Sequence, residues 1–339
     1  MTTYKIIVAG CGGMANAWVE YGKKREDAEI VGLVDISEAQ AKKLADKHEL
    51  SVPFFMNVKE AAQATGANLV FDTTIPEVHK QIVMSAFEAG CDVMGEKPMA
   101  SSLEDAQLML EAARSQNRFY AVMQNRRYNQ NIRGLREIIS QGHIGTTGFV
   151  SADFFLGAHF GGFRDVMASP LILDMAIHTF DAARFISGAD PVSVYCHEFN
   201  PPGSWYAGNA AAICIFEMSD GSVFNYRGSW CSEGAPTSWE SQWRVSGTKG
   251  TAIWDGTAAP YYEVIKPTEE KVFLNKFDRY EPSTPIMDNE GHAACLDEMF
   301  RALKENRKAE TDCADNIKSM QMVFGALESA AQGKKISLR

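Results

Sequence analysis

The chain has 339 residues, 45% hydrophobic and 22% charged, with a formal net charge of -10, and that length predicts two domains with sizeable cores. The acidic balance excludes wholesale attraction to nucleic acid or to an anionic membrane surface, so a small solute is the expected partner. Seven scattered cysteines, odd in number and never spaced Cys-x-x-Cys, fit reduced thiols and no metal centre. The opening apolar run is too short for a signal sequence and no later stretch approaches membrane-spanning length, so a cytoplasmic location is expected.

Residues 5–9 predict a strand, 14–24 a helix, 29–34 a strand, 39–48 a helix, 69–71 a strand, 78–89 a helix and 92–94 a strand. These strands are apolar throughout rather than alternating, the mark of a parallel sheet covered on both faces. Ser101 and Ser102 can cap the next helix, with Glu104 and Asp105 three residues on, and 119–123 predicts a closing strand. After Gln124 strands follow strands, at 148–156, 192–199, 210–216, 222–227, 242–246 and 251–254, with 219–221 and 247–250 placed as hairpin turns. Helices at 131–141, 171–186, 289–305 and 314–331 would cover one face of this antiparallel sheet. The expected division is 1–124 and 125–339.

Gly10-Cys11-Gly12-Gly13-Met14-Ala15 matches G-x-G-x-x-G/A where a strand gives way to a helix. The glycines allow a tight turn and close approach to a pyrophosphate, whose charge a helix N-terminus favours. Asp35, 25 residues beyond Gly10, ends the second strand where a carboxylate would accept hydrogen bonds from an adenosine ribose. It would repel a 2'-phosphate, and no arginine follows to hold one, so the sequence favours NAD over NADP. The plainer alternative is a turn followed by a capping aspartate.

Two further features carry chemistry. GEKPMA (95–100) places Glu96, Lys97 and Pro98 at the carboxyl end of a buried strand, where ligands bind in parallel sheets; the alternative is a surface ion pair before a capped helix. The segment 169–186 begins with a capping Ser169 and Pro170 and is apolar nearly all round. Asp174, His178 and Asp181 stand at i, i+4 and i+7, on one face of such a helix. Either the stripe meets solvent, or Asp174 orients His178 for acid-base work near neutrality.

On these motifs, together with Thr73-Thr74-Ile75-Pro76 followed by His79, Phe163-Arg164, and 323–330 as a last long helix, the chain resembles the glucose-fructose oxidoreductase and inositol dehydrogenase (Gfo/Idh/MocA) family. The resemblance implies an N-terminal Rossmann dinucleotide-binding domain and a C-terminal α+β domain. The latter's large, mostly antiparallel open sheet makes subunit contacts, giving a homodimer or homotetramer. It also implies a catalytic group of Lys97, Asp174 and His178, and a cis Lys97-Pro98 bond. Gly10, Gly12, Gly13, Met14, Asp35, Thr73, Thr74, His79, Glu96, Lys97 and Gln124 would line the cofactor groove, and Arg127, Tyr128, His159, Arg164 and Trp205 are candidates for substrate contact.

The implied activity is hydride transfer between NAD and a secondary alcohol of a sugar, inositol or related cyclic polyol. His178 would be the base, oriented by Asp174, with Lys97 stabilising the developing alkoxide; Lys97 as base is the alternative. Two other functions compete: an NAD-dependent glycoside hydrolase working by transient oxidation, and a non-catalytic dinucleotide-binding sensor. Ala168-Ser169-Pro170 and Ala176 stand where many members carry glycines, which bears on the substrate pocket more than on the chemistry.

Overall fold

The computed structural model describes residues 4–283 and 287–338. In chain order the first elements are β1 (Tyr4–Ala9), α1 (Ala15–Lys24), β2 (Ala28–Val34), α2 (Glu38–His48), β3 (Phe54–Phe55), α3 (Val58–Thr65), β4 (Leu69–Asp72), α4 (Pro76–Glu88), β5 (Asp92–Gly95), α5 (Leu103–Ser115) and β6 (Tyr120–Val122). Then come α6 (Gln130–Ser140), β7 (Thr147–Phe155), a wide turn of π-helix (Leu171–Ala176), α7 (Ile177–Ser187), β8 (Pro191–Phe199), β9 (Ala211–Met218), β10 (Val223–Ser229), β11 (Gln242–Gly247), β12 (Gly250–Trp254), β13 (Tyr261–Ile265), β14 (Phe277–Tyr280), α8 (Gly291–Lys304), α9 (Cys313–Gln332) and β15 (Ile336–Ser337).

The chain divides into two compact units, 1–124 with 292–320 and 125–291 with 321–339. In the first, six parallel strands run in the order β3-β2-β1-β4-β5-β6. Ile6, Ile7, Val8, Leu69, Val70 and Phe71 are wholly buried, because helices cover both faces and every side chain of a central strand meets one of them. Ser37, Asn57 and Ser102 each accept a hydrogen bond from the third residue on, and so start α2, α3 and α5. The short β3 and α3 were not foreseen.

Residues 292–320, expected with the second domain, pack in the first unit. Phe300 of α8 lies edge-on to Tyr4 and Phe71 at 5.3 and 6.0 Å, the Arg25 guanidinium stands 4.0 Å over its ring, and the Tyr21 hydroxyl donates to Asp297 at 2.6 Å. An amphipathic helix settles wherever its apolar stripe is buried, and sequence order does not say where that is.

The second unit holds a nine-stranded sheet, β14-β13-β12-β11-β7-β10-β9-β8-β15, antiparallel except between β7 and β10. One face packs on α7, where Phe180 meets Phe216 at 4.9 Å and Tyr226 at 5.2 Å, both edge-on. On the other face the alternation of β8 and β9 leaves Tyr195, Phe199, Ile213 and Ile215 exposed; Tyr195 pairs with Ile215.

The single helix expected over 171–186 is in two parts, a π-helical stretch followed by α7. Ser169 does not cap it, for its hydroxyl donates instead to Glu198 at 2.9 Å. The wider π turn shifts Asp174 off the regular i, i+4 line to His178, and such turns recur at functional sites.

Candidate functional site

In the first unit the candidate residues form one row. Ala9 stands in register with Asp72, Asp72 with Gly95, and Gly95 with Val122. The residues just beyond these strand ends, Gly10, Thr73, Glu96 and Lys97, and Gln124, therefore lie side by side along the carboxyl edge of the sheet. At about 4.8 Å per strand, Lys97 emerges about 10 Å from the Gly10 turn.

Gly10 has φ +85°, and a Cβ there would meet the Thr73 and Thr74 backbone at 2.8 Å, so glycine is required. At Gly12 and Gly13 a Cβ would meet nothing within 4 Å, leaving the open ground a pyrophosphate needs before α1. The Asp35 carboxylate accepts from the Cys11 amide at 2.7 Å and the Ser37 amide at 2.8 Å. It ties the glycine loop to the Ser37 cap of α2, and a carboxylate has further lone pairs for a ribose. Both amide atoms of Gln124 are buried with no protein hydrogen-bond partner; such a group calls for a ligand or water. These residues fit a bound dinucleotide.

The rest of the row is tightly bonded. Thr73 donates its hydroxyl to Gly10 O at 2.6 Å, and Asp72 accepts from the Thr74 amide and hydroxyl at 3.1 and 2.6 Å. Burial pushes the Asp72 carboxyl above the usual carboxylate range, although the His79 ring and the Thr74 hydrogen bonds oppose it. The His79 ring is held between Pro98 O at 3.0 Å and Thr74 O at 3.1 Å, so it joins the Thr73-Thr74 turn to the Glu96-Lys97-Pro98 turn. Buried Glu96 accepts from the Trp18 indole at 2.7 Å and the Lys97 amide at 3.2 Å. Lys97 is half-buried, and the Lys97-Pro98 bond is cis, as the resemblance implied. Trp18 was not among the expected residues, and no spacing in the sequence links it with Glu96.

In the second unit, Asp174 on the π turn accepts from Arg164 at 2.6 Å. The Arg164 guanidinium lies over Phe160 and Phe163 at 5.0 and 4.6 Å. His159 stacks on Trp205 at 3.7 Å and pairs with Glu233 at 2.7 Å, while Phe160 and Tyr206 both contact Trp230. His159, Arg164, Trp205 and Asp174 thus fall in one aromatic-rich district, in which Trp230 Nε1 and Asp165 Oδ1 are buried without a protein hydrogen-bond partner. His178 is buried on the first turn of α7.

Two other candidates lie elsewhere. Arg127 is clamped by both oxygens of buried Asp181 at 2.6 and 2.7 Å, and Tyr128 is buried with the Arg133 guanidinium 4.6 Å over its ring. Asp181, read as the third member of a polar stripe, is accounted for by that ion pair. Among the described residues no group of three or more His, Cys, Asp or Glu could hold a metal ion, and no helix is long and apolar enough to cross a membrane.

A doubly wound sheet whose first loop suits a pyrophosphate, joined to an open-sheet α+β unit, defines a dinucleotide-binding enzyme of two domains. Residues 4–124 match the oxidoreductase family with NAD-binding Rossmann fold, and 132–253 match the GFO/IDH/MocA C-terminal domain. The chain belongs to the Gfo/Idh/MocA family and is an NAD-binding oxidoreductase. It is 26% identical to protein y4oX of Sinorhizobium fredii over 99% of this chain and 96% of that one. It is 27% identical to the D-glucoside 3-dehydrogenase of Escherichia coli over 59% of each. An oxidoreductase of Agrobacterium radiobacter, solved with NAD+, L-tartaric acid and magnesium, superposes with a TM-score of 0.86 at 21% identity over 99% of both chains.

Proposed function

We propose that the protein is a dehydrogenase or reductase using NAD in preference to NADP on a secondary alcohol or ketone of a cyclic polyol or sugar. The observation that carries this is the strand-end row, which sets Lys97 about two strand spacings from a loop suited to a pyrophosphate. Asp35 supports NAD, since a carboxylate tied to the glycine loop would face a 2'-phosphate with like charge. The aromatic rings and unpartnered polar atoms around His159, Trp205 and Trp230 support a polyhydroxy substrate, whose C–H faces pack on rings and whose hydroxyls need polar partners. The D-glucoside 3-dehydrogenase among its relatives agrees.

Bound NAD supplies the hydride acceptor. His178 takes the hydroxyl proton, Asp174, anchored by Arg164, orients its imidazole, and Lys97 donates a hydrogen bond to the oxygen as negative charge develops. Thr73, Thr74 and His79 fix the loops, while Met14 and Gln124 border the cofactor. His159, Arg164 and Trp205 contact substrate. The exposed Tyr195, Ile213 and Ile215 face of the second sheet serves as the contact for a homodimer or homotetramer.

The test is Lys97→Ala and His178→Ala, with NAD binding measured separately. Each should lower turnover by about 10²- to 10⁴-fold and leave NAD affinity little changed; near-normal turnover in both sinks the assignment. Incubation with glycosides and catalytic NAD should give no sugar release without net NADH, since that outcome would mark a hydrolase.

A further inference from the structure

We propose that a cleft at the amino-terminal edge of the parallel sheet binds a small dianion of the phosphate-ester or dicarboxylate class. The cleft holds about 390 Å³ and lies within the first unit, between Asp92 at the start of β5, Phe119 just before β6, the end of α5, the segment after α8 and the start of α9. That volume suits a small metabolite. Asp92 and Gly95 are the two ends of β5, so the cleft opens at the sheet edge opposite the glycine loop, about 13 Å of strand away from Glu96.

Its charge is unbalanced. Arg114, Arg118, Arg307 and Lys308 line it against Asp92 and Asp312. Both carboxylates accept from backbone amides, Asp92 from Phe119 N and Asp312 from Ala314 N, each at 2.9 Å; burial raises both above the usual carboxylate value, opposed by the charge of Arg118 at Asp92 and of Lys308 and Arg114 at Asp312. Arg307 is spent on Glu298 and Glu305. Arg114 and Lys308 make no ion pair among the described residues, and Arg118, which gives one donor to Gly90 O at 2.7 Å, keeps its Nε buried with no protein partner.

Cations in a last helical turn complement the helix dipole, which accounts for Arg114 on α5. It does not account for a buried guanidinium N–H left without an acceptor beside two unpaired cations. An anion with oxygens spread over two or three atoms would meet all three, and guanidinium groups favour phosphate and carboxylate geometry.

The test is calorimetric titration of the full chain, saturated with NAD and at fixed ionic strength, with inorganic pyrophosphate, glycerol 3-phosphate and malonate. At least one probe should bind saturably at one site, and the phosphate and carboxylate arms separate the two sources of anion. Arg114→Gln with Lys308→Gln, both exposed positions, should weaken that binding about tenfold or more while NAD affinity holds. No saturable binding by any probe, binding abolished by NAD, or equal binding by the double variant would overturn the proposal.

Discussion

The strand-end row of the first unit and the aromatic district of the second are both rich in polar groups, but they are finished to different degrees. Around Lys97 the protein satisfies Glu96 by Trp18 and the Lys97 amide, Thr73 by Gly10 and His79 by two carbonyls, with the Gln124 amide at the end of the row left as the exception. Around His159 and Arg164, Trp230 Nε1 and Asp165 Oδ1 have no protein partner, and Phe160, Phe163 and Trp239 are exposed. A closed network holds one geometry and suits a cofactor common to many enzymes. An open one leaves polar atoms for a ligand to meet, and under the proposed function that is where discrimination between substrates would arise.

The largest expected effect breaks the closed side. Glu96→Ala leaves the Trp18 indole without its acceptor and removes the Lys97 amide contact, so unfolding stability should fall by about 2–4 kcal/mol, read as a shift in denaturant midpoint, with turnover lowered as well. A loss under about 1 kcal/mol would mean the network is slack. His79→Phe comes next: about 1–3 kcal/mol, together with a raised KM for NAD, because it unties the two turns at once. The contrast case is His159→Ala. Its hydrogen bond with Glu233 joins side chains 62% and 69% exposed, so stability should change by less than about 1 kcal/mol, while the substrate KM should rise.

How much of this the sequence revealed follows the same division. The alternation of elements, the glycine loop, Asp35 and the Glu96-Lys97-Pro98 turn are local patterns fixed by backbone needs, and they could be read from the chain. Trp18 under Glu96, α8 against β1 and β4, and the Arg164 anchor of Asp174 are tertiary pairings with no periodic signature. The π turn has no sequence signature either, since an apolar run after Ser169-Pro170 reads as ordinary α-helix. Arg127, which stands in the sequence as a plausible ligand group, carries nothing at that level to disclose its bidentate clamp on Asp181.

The smallest effect sharpens the open side through pH. Burial raises the folded-state carboxyl of Glu198 above its ordinary value, with the hydrogen bonds of Ser169 and Asn209 opposing. A carboxyl whose folded pKa is raised binds its proton more tightly in the native state. Its contribution is therefore fully present below the unfolded value, about 4.3, and is lost as pH rises through the folded value. Glu198→Gln removes this titration but keeps a neutral acceptor for Ser169. The stability of wild type relative to Glu198→Gln, followed by chemical denaturation, should hence climb as pH falls through that window and stay level above it. A difference that does not vary with pH would mean that Glu198 has the solvent it lacks here, and that this part of the district is already satisfied without a ligand.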